Sequence, residues 1–278
     1  MIYHYTDLTA AKSIVENEKI WLTECRYLND KEEFTMGLLF FKHALESYNG
    51  YKNHYPIEFS EKIENSISYL ITSELTSPDA AENLFVASFS HTPDSLSQWR
   101  SYGMFMLGFE EDFISPSLIE DEFFAFDCFY AMDFVDGLAH ANSLLENIII
   151  PQLYSLSKHN NIQIMDYWLR LLIEIYALSF KNKAFESEHE KRLVIACKND
   201  DTIINFRVKG DLLIPYISLD INPCSIMSIT VGPIENQYLS VSSLEKFATK
   251  ITSRVRKTHS KDDYTLYVSS SSTPYRKL

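Results

Sequence analysis

Seven glycines in 278 residues constrain this chain more than any other feature of its sequence. They stand at positions 37, 50, 103, 108, 137, 210 and 232, about a third of the usual share. Glycine lets a backbone approach a phosphate closely. Here no three are spaced as GxGxxG, and GxxxxGK followed by Ser or Thr does not occur. Rossmann and P-loop cradles are therefore unsupported. A nucleotide bound by this chain must be gripped by side chains or by some other backbone geometry.

The length suits one domain over residues 1–278, with room for a large core. Cys25, Cys128, Cys197 and Cys224 are scattered without a CxxC, which argues against a zinc knuckle or a disulfide scaffold and leads us to expect no metal. The opening MIYHYTDLT has neither a basic nor an apolar leader character, and the greasiest stretch, 167–180, is interrupted by Arg170 and Glu174. A cytoplasmic protein without a membrane partner is the expectation, with homo-oligomerisation left open. A net charge of −13 opposes a broad, nonspecific grip on nucleic acid but allows a local basic groove.

Periodicity predicts mixed α and β. Strands are expected at 2–5, 20–23, 84–90, 104–109, 123–134, 190–197, 202–208, 212–219 and 225–231. Helices are expected at 8–18 with Asp7 as N-cap, from Asp30 (in a capping box with Glu33) to 47, and at 57–76, 92–102, 136–158, 163–181 and 241–251. The order is α+β around antiparallel strands, not alternating βαβ units. The segment 136–181 reads as a helical insertion, and 181–189 as a charged loop.

Four clusters can carry chemistry. His4, Tyr5 and Thr6 end the first strand with hydrogen-bonding groups suited to sugar hydroxyls or an amide edge; the plain alternative is a satisfied histidine between core tyrosines. Arg26 leaves the second strand and can clamp a phosphate bidentately, or pair with a neighbouring acid at a turn. Ser88 and Ser90 share one face of a strand, opposite Phe89, and inward serines need partners. Trp99 and Tyr102 are three apart on a helix, which makes them either an aromatic wall for a planar ring or core. Last, if the late strand is already extended at Glu188, then Glu188, Glu190 and Arg192 share a face. There the arginine holds one carboxylate ionised while the pair's repulsion raises the other. A metal-dependent nuclease of the PD…ExK type fits poorly. Pro93-Asp94 lies almost a hundred residues upstream, and arginine replaces lysine in Glu190-x-Arg192.

Four stretches together give a resemblance. They are YHYTDLTAAKSIVENEKIWLTECRYLND at 3–30, FSHTPDSLSQWRSYG at 89–103, FESEHEKRL at 185–193 and ITVGP at 229–233. In that order the chain resembles a bacterial family of uncharacterised proteins associated with abortive phage infection. Its opening, a strand ending in His-Tyr-Thr, then a helix and a short strand, looks like the start of ADP-ribosyltransferases, particularly those that modify DNA in toxin–antitoxin systems. The resemblance implies a split pair of mainly antiparallel sheets flanked by helices, with NAD as substrate. It implies His4, Tyr5, Thr6, Ser88, Ser90, Trp99 and Tyr102 on the NAD side, and Glu188 or Glu190 as the catalytic glutamate. Arg26 would match an arginine near the reacting ribose. The middle motif is Ser-Phe-Ser here instead of Ser-Thr-Ser, and Lys191 stands where a tryptophan is typical. The implied activity is transfer of ADP-ribose to a macromolecule, nucleic acid or protein, or to water. The implied role is phage defence or toxicity, and the alternative is a non-catalytic module that senses a nucleotide or a phage component.

Overall fold

The computed structural model describes residues 1–28, 31–50, 54–73, 75, 84–111, 113, 123–159, 165–197 and 203–274. Within them the chain is α+β: a mainly antiparallel ten-stranded sheet, a separate two-stranded ribbon and eight α-helices. No helix among the described residues is long and apolar enough to cross a membrane.

The chain starts with β1 (Ile2–Thr6), then α1 (Leu8–Asn17), β2 (Lys19–Glu24), α2 (Lys31–Ser47) and α3 (Ile57–Thr72). β3 (Leu84–Ser90), α4 (Leu96–Tyr102), β4 (Phe105–Phe109), β5 (Phe123–Asp127) and β6 (Phe129–Ala131) follow. α5 (Phe134–Leu144) continues through a π-helical turn into α6 (Ile150–His159), and α7 (Met165–Ala177) precedes β7 (Phe180–Asn182). The chain ends with β8 (Glu190–Ala196), β9 (Asn205–Lys209), β10 (Leu212–Asp220), β11 (Ile226–Val231), α8 (Gln237–His259) and β12 (Tyr267–Ser270).

β3 is the spine. One of its edges pairs along its length with β8, from Leu84 opposite Ala196 to Ser90 opposite Glu190, and β5 lies beyond β8. Alternation gives its two faces to two cores. Leu84 and Val86 join a layer formed by α2, α3 and α5–α7, whereas Phe85, Ala87 and Phe89 join a core beneath α1 and α8. α1 forms as its pattern dictates: the Asp7 carboxylate accepts the Ala10 N–H at 2.8 Å, and Ala11, Ile14 and Val15 are buried. The segment 136–181 is not set apart, since its helices share one core with α2 and α3.

Several elements differ from the periodicity reading. α4 begins at Leu96, because Asp94 takes a left-handed backbone (φ 53°) that no helix can include. The expected loop 181–189 holds β7 and a 3₁₀ turn, Lys183–Glu188. α8 extends to His259, with Leu244, Ala248, Ile251 and Val255 buried and Arg256, Lys257 and His259 complementing its C-terminal dipole. Asp30 of the expected capping box lies outside the described residues.

Candidate functional site

The second edge of β3 is divided between two strands. β1 pairs with it only at Tyr3–Ser90, and β2 only at Thr23–Val86 and Glu24–Phe85. From these points β1 turns to β4 and β2 turns to β10, so Ala87–Phe89 have no strand partner on that edge. The sheet splits there around a cleft of about 480 Å³.

The split leaves backbone acceptors that must be satisfied. His4 satisfies one: its Nδ1–H donates to the Ser88 carbonyl at 3.0 Å, which leaves Nε2 as the acceptor of the neutral ring. Burial lowers the His4 pKa, opposed by that hydrogen bond, so the neutral form dominates at physiological pH. Thr6 and Ser88 line the cleft beside it. Tyr5 and Ser90 line it too, but their hydroxyls are committed to structure. Tyr5 donates to the Thr92 carbonyl at 2.9 Å and accepts the Ser95 N–H, and Ser90 donates to the Glu188 carbonyl at 2.5 Å.

Opposite stands a buried ionic cluster. Glu190 accepts from Arg192 Nε at 2.7 Å and from Lys181, while Arg192 also reaches Glu33 at 2.9 Å. Burial alone would raise the Glu190 pKa; Arg192 and Lys181 outweigh it and hold the carboxyl at about 2. Glu188 is placed differently. It ends the 3₁₀ turn, and the left-handed His189 (φ 42°) separates it from β8, so it does not share the strand alternation of Glu190 and Arg192. Even so, Lys181 draws both carboxylates together, its Nζ lying 2.5 Å from Glu188 Oε2. That ammonium is the one partner of the buried Oε2 among the described residues. Oε1 accepts from Tyr102 at 3.3 Å. Burial, reinforced by Glu188 and opposed by Lys181, pushes the Tyr102 phenol up to about 12.

The candidates therefore divide. His4, Thr6, Ser88, Tyr102, Glu188 and Glu190 meet at one cleft. Trp99 does not line it. The side chain is fully buried against Tyr5 at 4.8 Å, and its indole N–H donates to Asp94, so Trp99 and Tyr102 form no common wall. Arg26 is also outside, pairing with the buried Glu24 at 2.6 Å. Asp94 holds the C-terminal segment, accepting from Ser271, Ser272 and Thr273. Among the described residues no three His, Cys, Asp or Glu side chains cluster in a way that could hold a metal ion.

Sequence reasoning missed Lys181, whose only local signal is a lysine directly after the apolar run ending at Phe180. It also missed Tyr130, whose hydroxyl accepts the Glu190 N–H at 2.6 Å, and the β2–β9 wall of the cleft carrying Trp21, Thr23, Arg207 and Lys209. Comparison of the chain with protein-family models, curated proteins and solved structures gave no match.

Proposed function

We propose that this chain is an NAD-dependent ADP-ribosyltransferase that acts in phage defence or as a toxin. The observation that carries the reading is the convergence of four sequence-remote residues, His4, Ser88, Tyr102 and Glu188, in the gap where β1 and β2 leave β3. A cleft of about 480 Å³ is of the size that takes a small organic ligand, and its grip comes from strand-borne side chains, as the scarcity of glycine requires.

In this reading Glu188 is the catalytic carboxylate and Glu190 is structural. Glu190 spends both oxygens on Lys181 and Arg192. Glu188 is held more loosely: among the described residues its Oε2 is paired with Lys181 alone, at 2.5 Å, and its Oε1 accepts only a long hydrogen bond from Tyr102 at 3.3 Å, which leaves lone pairs that can accept a ribose hydroxyl. Cleavage of the nicotinamide–ribose bond sends the bonding pair to nicotinamide and leaves an oxocarbenium-like ribosyl cation, as in glycoside hydrolysis. Glu188 stabilises that cation electrostatically, in a buried setting where a fixed charge is strongest. The acceptor's nucleophile then adds to the ribosyl carbon and loses its proton to solvent, so that the products are the ADP-ribosylated acceptor, nicotinamide and one proton. Lys181 tethers the carboxylate, and the Tyr102 hydroxyl holds its second oxygen. Arg26 has no part in this account.

The test is incubation of the purified protein with cell extract and NAD labelled in its adenylate half. Label is expected in a macromolecule, nucleic acid or protein, and to be absent with Glu188→Gln. No label in any macromolecule, together with no release of nicotinamide, would overturn the reading. The second reading, a nucleotide-sensing module without turnover, is favoured by the saturation of Glu190. It would show as nucleotide-dependent thermal stabilisation with no nicotinamide released.

A further inference from the structure

The wall of the cleft built by β2, β10 and β9 has a chemistry of its own. Thr23 pairs with Val86, four residues along β3 from Ser90, which is about 13 Å at the rise of a strand. On this wall Arg207 Nη2 donates to Thr23 Oγ1 at 2.8 Å, and its guanidinium lies 5.7 Å from the Trp21 ring centre. Trp21 packs at 4.4 Å on Tyr216 and is still 44% exposed. Lys209 stands two residues beyond Arg207, on the same strand face.

Two observations suit this wall to an anion. The Arg207 guanidinium makes one hydrogen bond, to Thr23, and its Nε makes none among the described residues. And among the described residues neither Arg207 nor Lys209 pairs with a carboxylate, although the chain carries 38 acidic against 25 basic side chains. The neighbouring Lys19, by contrast, is paired with Asp220 at 2.7 Å. A guanidinium with open donors suits a phosphate, which it can contact through two N–H groups, and the exposed indole beside it suits a planar base.

We propose that this wall is the phosphate-and-base subsite of the cleft and takes the ADP half of the ligand. Arg207 lies on the phosphate oxygens, Lys209 adds positive charge at the rim, and Trp21 stacks on the base. The proposal rests on reading the cleft as an NAD site. It assigns the two halves of the dinucleotide to opposite ends, nicotinamide toward Glu188 and Tyr102 and ADP toward Arg207 and Trp21.

Calorimetric titration of ADP into the full chain tests it, using wild type, Arg207→Gln, Lys209→Gln and Trp21→Ala, with melting curves to confirm folding and nicotinamide release measured on the same samples. ADP is expected to bind wild type, about tenfold or more weakly after Arg207→Gln and less weakened after Lys209→Gln. The KM for NAD should rise with the dissociation constant while kcat changes less. Equal ADP affinity in wild type and all three folded variants would overturn the subsite even if nicotinamide is released. So would failure of ADP to bind while a single-stranded oligonucleotide binds in an Arg207-dependent way, which would make the wall the acceptor's. ADP binding that depends on Arg207, with no nicotinamide released, would keep the subsite and sink the transferase reading. If ADP does not bind and no nicotinamide is released, both fall.

Discussion

Glu188 and Glu190 stand two residues apart and are placed in different surroundings by one dihedral angle. The left-handed His189 interrupts the strand so that Glu190 enters β8 between Arg192 and Lys181 while Glu188 stays on the 3₁₀ turn, ion-paired with Lys181 alone among the described residues, both at the cleft. Replacing Glu190 by Gln leaves Lys181 and Arg192 buried with an incomplete counter-charge. The expected loss is about 3–5 kcal/mol, a fall in Tm on the order of 10 °C by differential scanning calorimetry. Glu188→Gln removes one counter-charge of Lys181 but leaves that lysine paired with Glu190 and leaves Arg192 untouched, so it is expected to lower Tm by less than Glu190→Gln does. Equal losses from the two substitutions would contradict the division of roles. The alternation that groups Ser88 with Ser90 is written in the sequence, because β3 is regular throughout. The phase at Glu188 is not, because nothing in FESEHEKRL marks His189 as the residue that leaves the extended region.

At the scale of elements, the turn after α4 abuts the end of β1, and Asp94 holds the C-terminal segment. Gly103 has φ 133°, and a Cβ there would stand 2.3 Å from the Thr6 carbonyl oxygen. Gly103→Ala must therefore displace the end of β1, where Thr6 lines the cleft, and is expected to cost about 1–3 kcal/mol from backbone strain alone. Urea unfolding checks it; an unchanged midpoint would show that β1 is not held by this approach. Asp94 gathers the Trp99 indole, Ser271, Ser272 and Thr273. Burial alone would raise its pKa, but these donors bring it down to about 2. Asp94→Ala should release the tail, seen as faster amide exchange at Ser271–Thr273 with the core unchanged, and unaltered exchange there would refute the anchor. Asp94 with Pro93 before it reads in the sequence as the first turn of a helix, and the Ser-rich run 269–272 as low complexity. Their pairing across more than 170 residues is invisible to local pattern, as is β7, too short at three residues to show a period.

For the molecule as a whole, the buried histidines and the depressed carboxyls should lower stability in acid in two stages, opposed by Glu33 and Glu174, whose pKa values burial raises. His4 and His140 both have pKa values lowered from 6.5 by burial, so the unfolded chain takes up these protons first. Their contributions are complete above about pH 6.5 and are lost as pH falls through the lower folded values. Glu190 and Asp94, at about 2 in the folded chain against 4.5 and 3.8 otherwise, contribute fully above those higher values and lose their share as pH falls toward 2. Urea midpoints measured from pH 7 to pH 5 should fall more in wild type than in His4→Gln; identical pH profiles in the two would contradict the buried neutral histidine. The α+β class follows from the order of the elements, because strand and helix periods are clear through most of the chain. The split of the sheet does not, since it depends on where β1 and β2 leave β3, a matter of pairing between remote segments. His4 is the residue that ties the two levels together, a strand-end histidine in the sequence and the partner of the Ser88 carbonyl in the gap.

The measurement that bears most directly on the cleft as a site of NAD chemistry is the initial rate of nicotinamide release from NAD, in the presence of cell extract, by wild type, Glu188→Gln and Arg26→Gln. The account predicts measurable release by wild type, a fall of about 10²–10³ in Glu188→Gln without loss of the fold, and little change in Arg26→Gln. Release that is unchanged in Glu188→Gln, or that depends instead on Arg26, would contradict it.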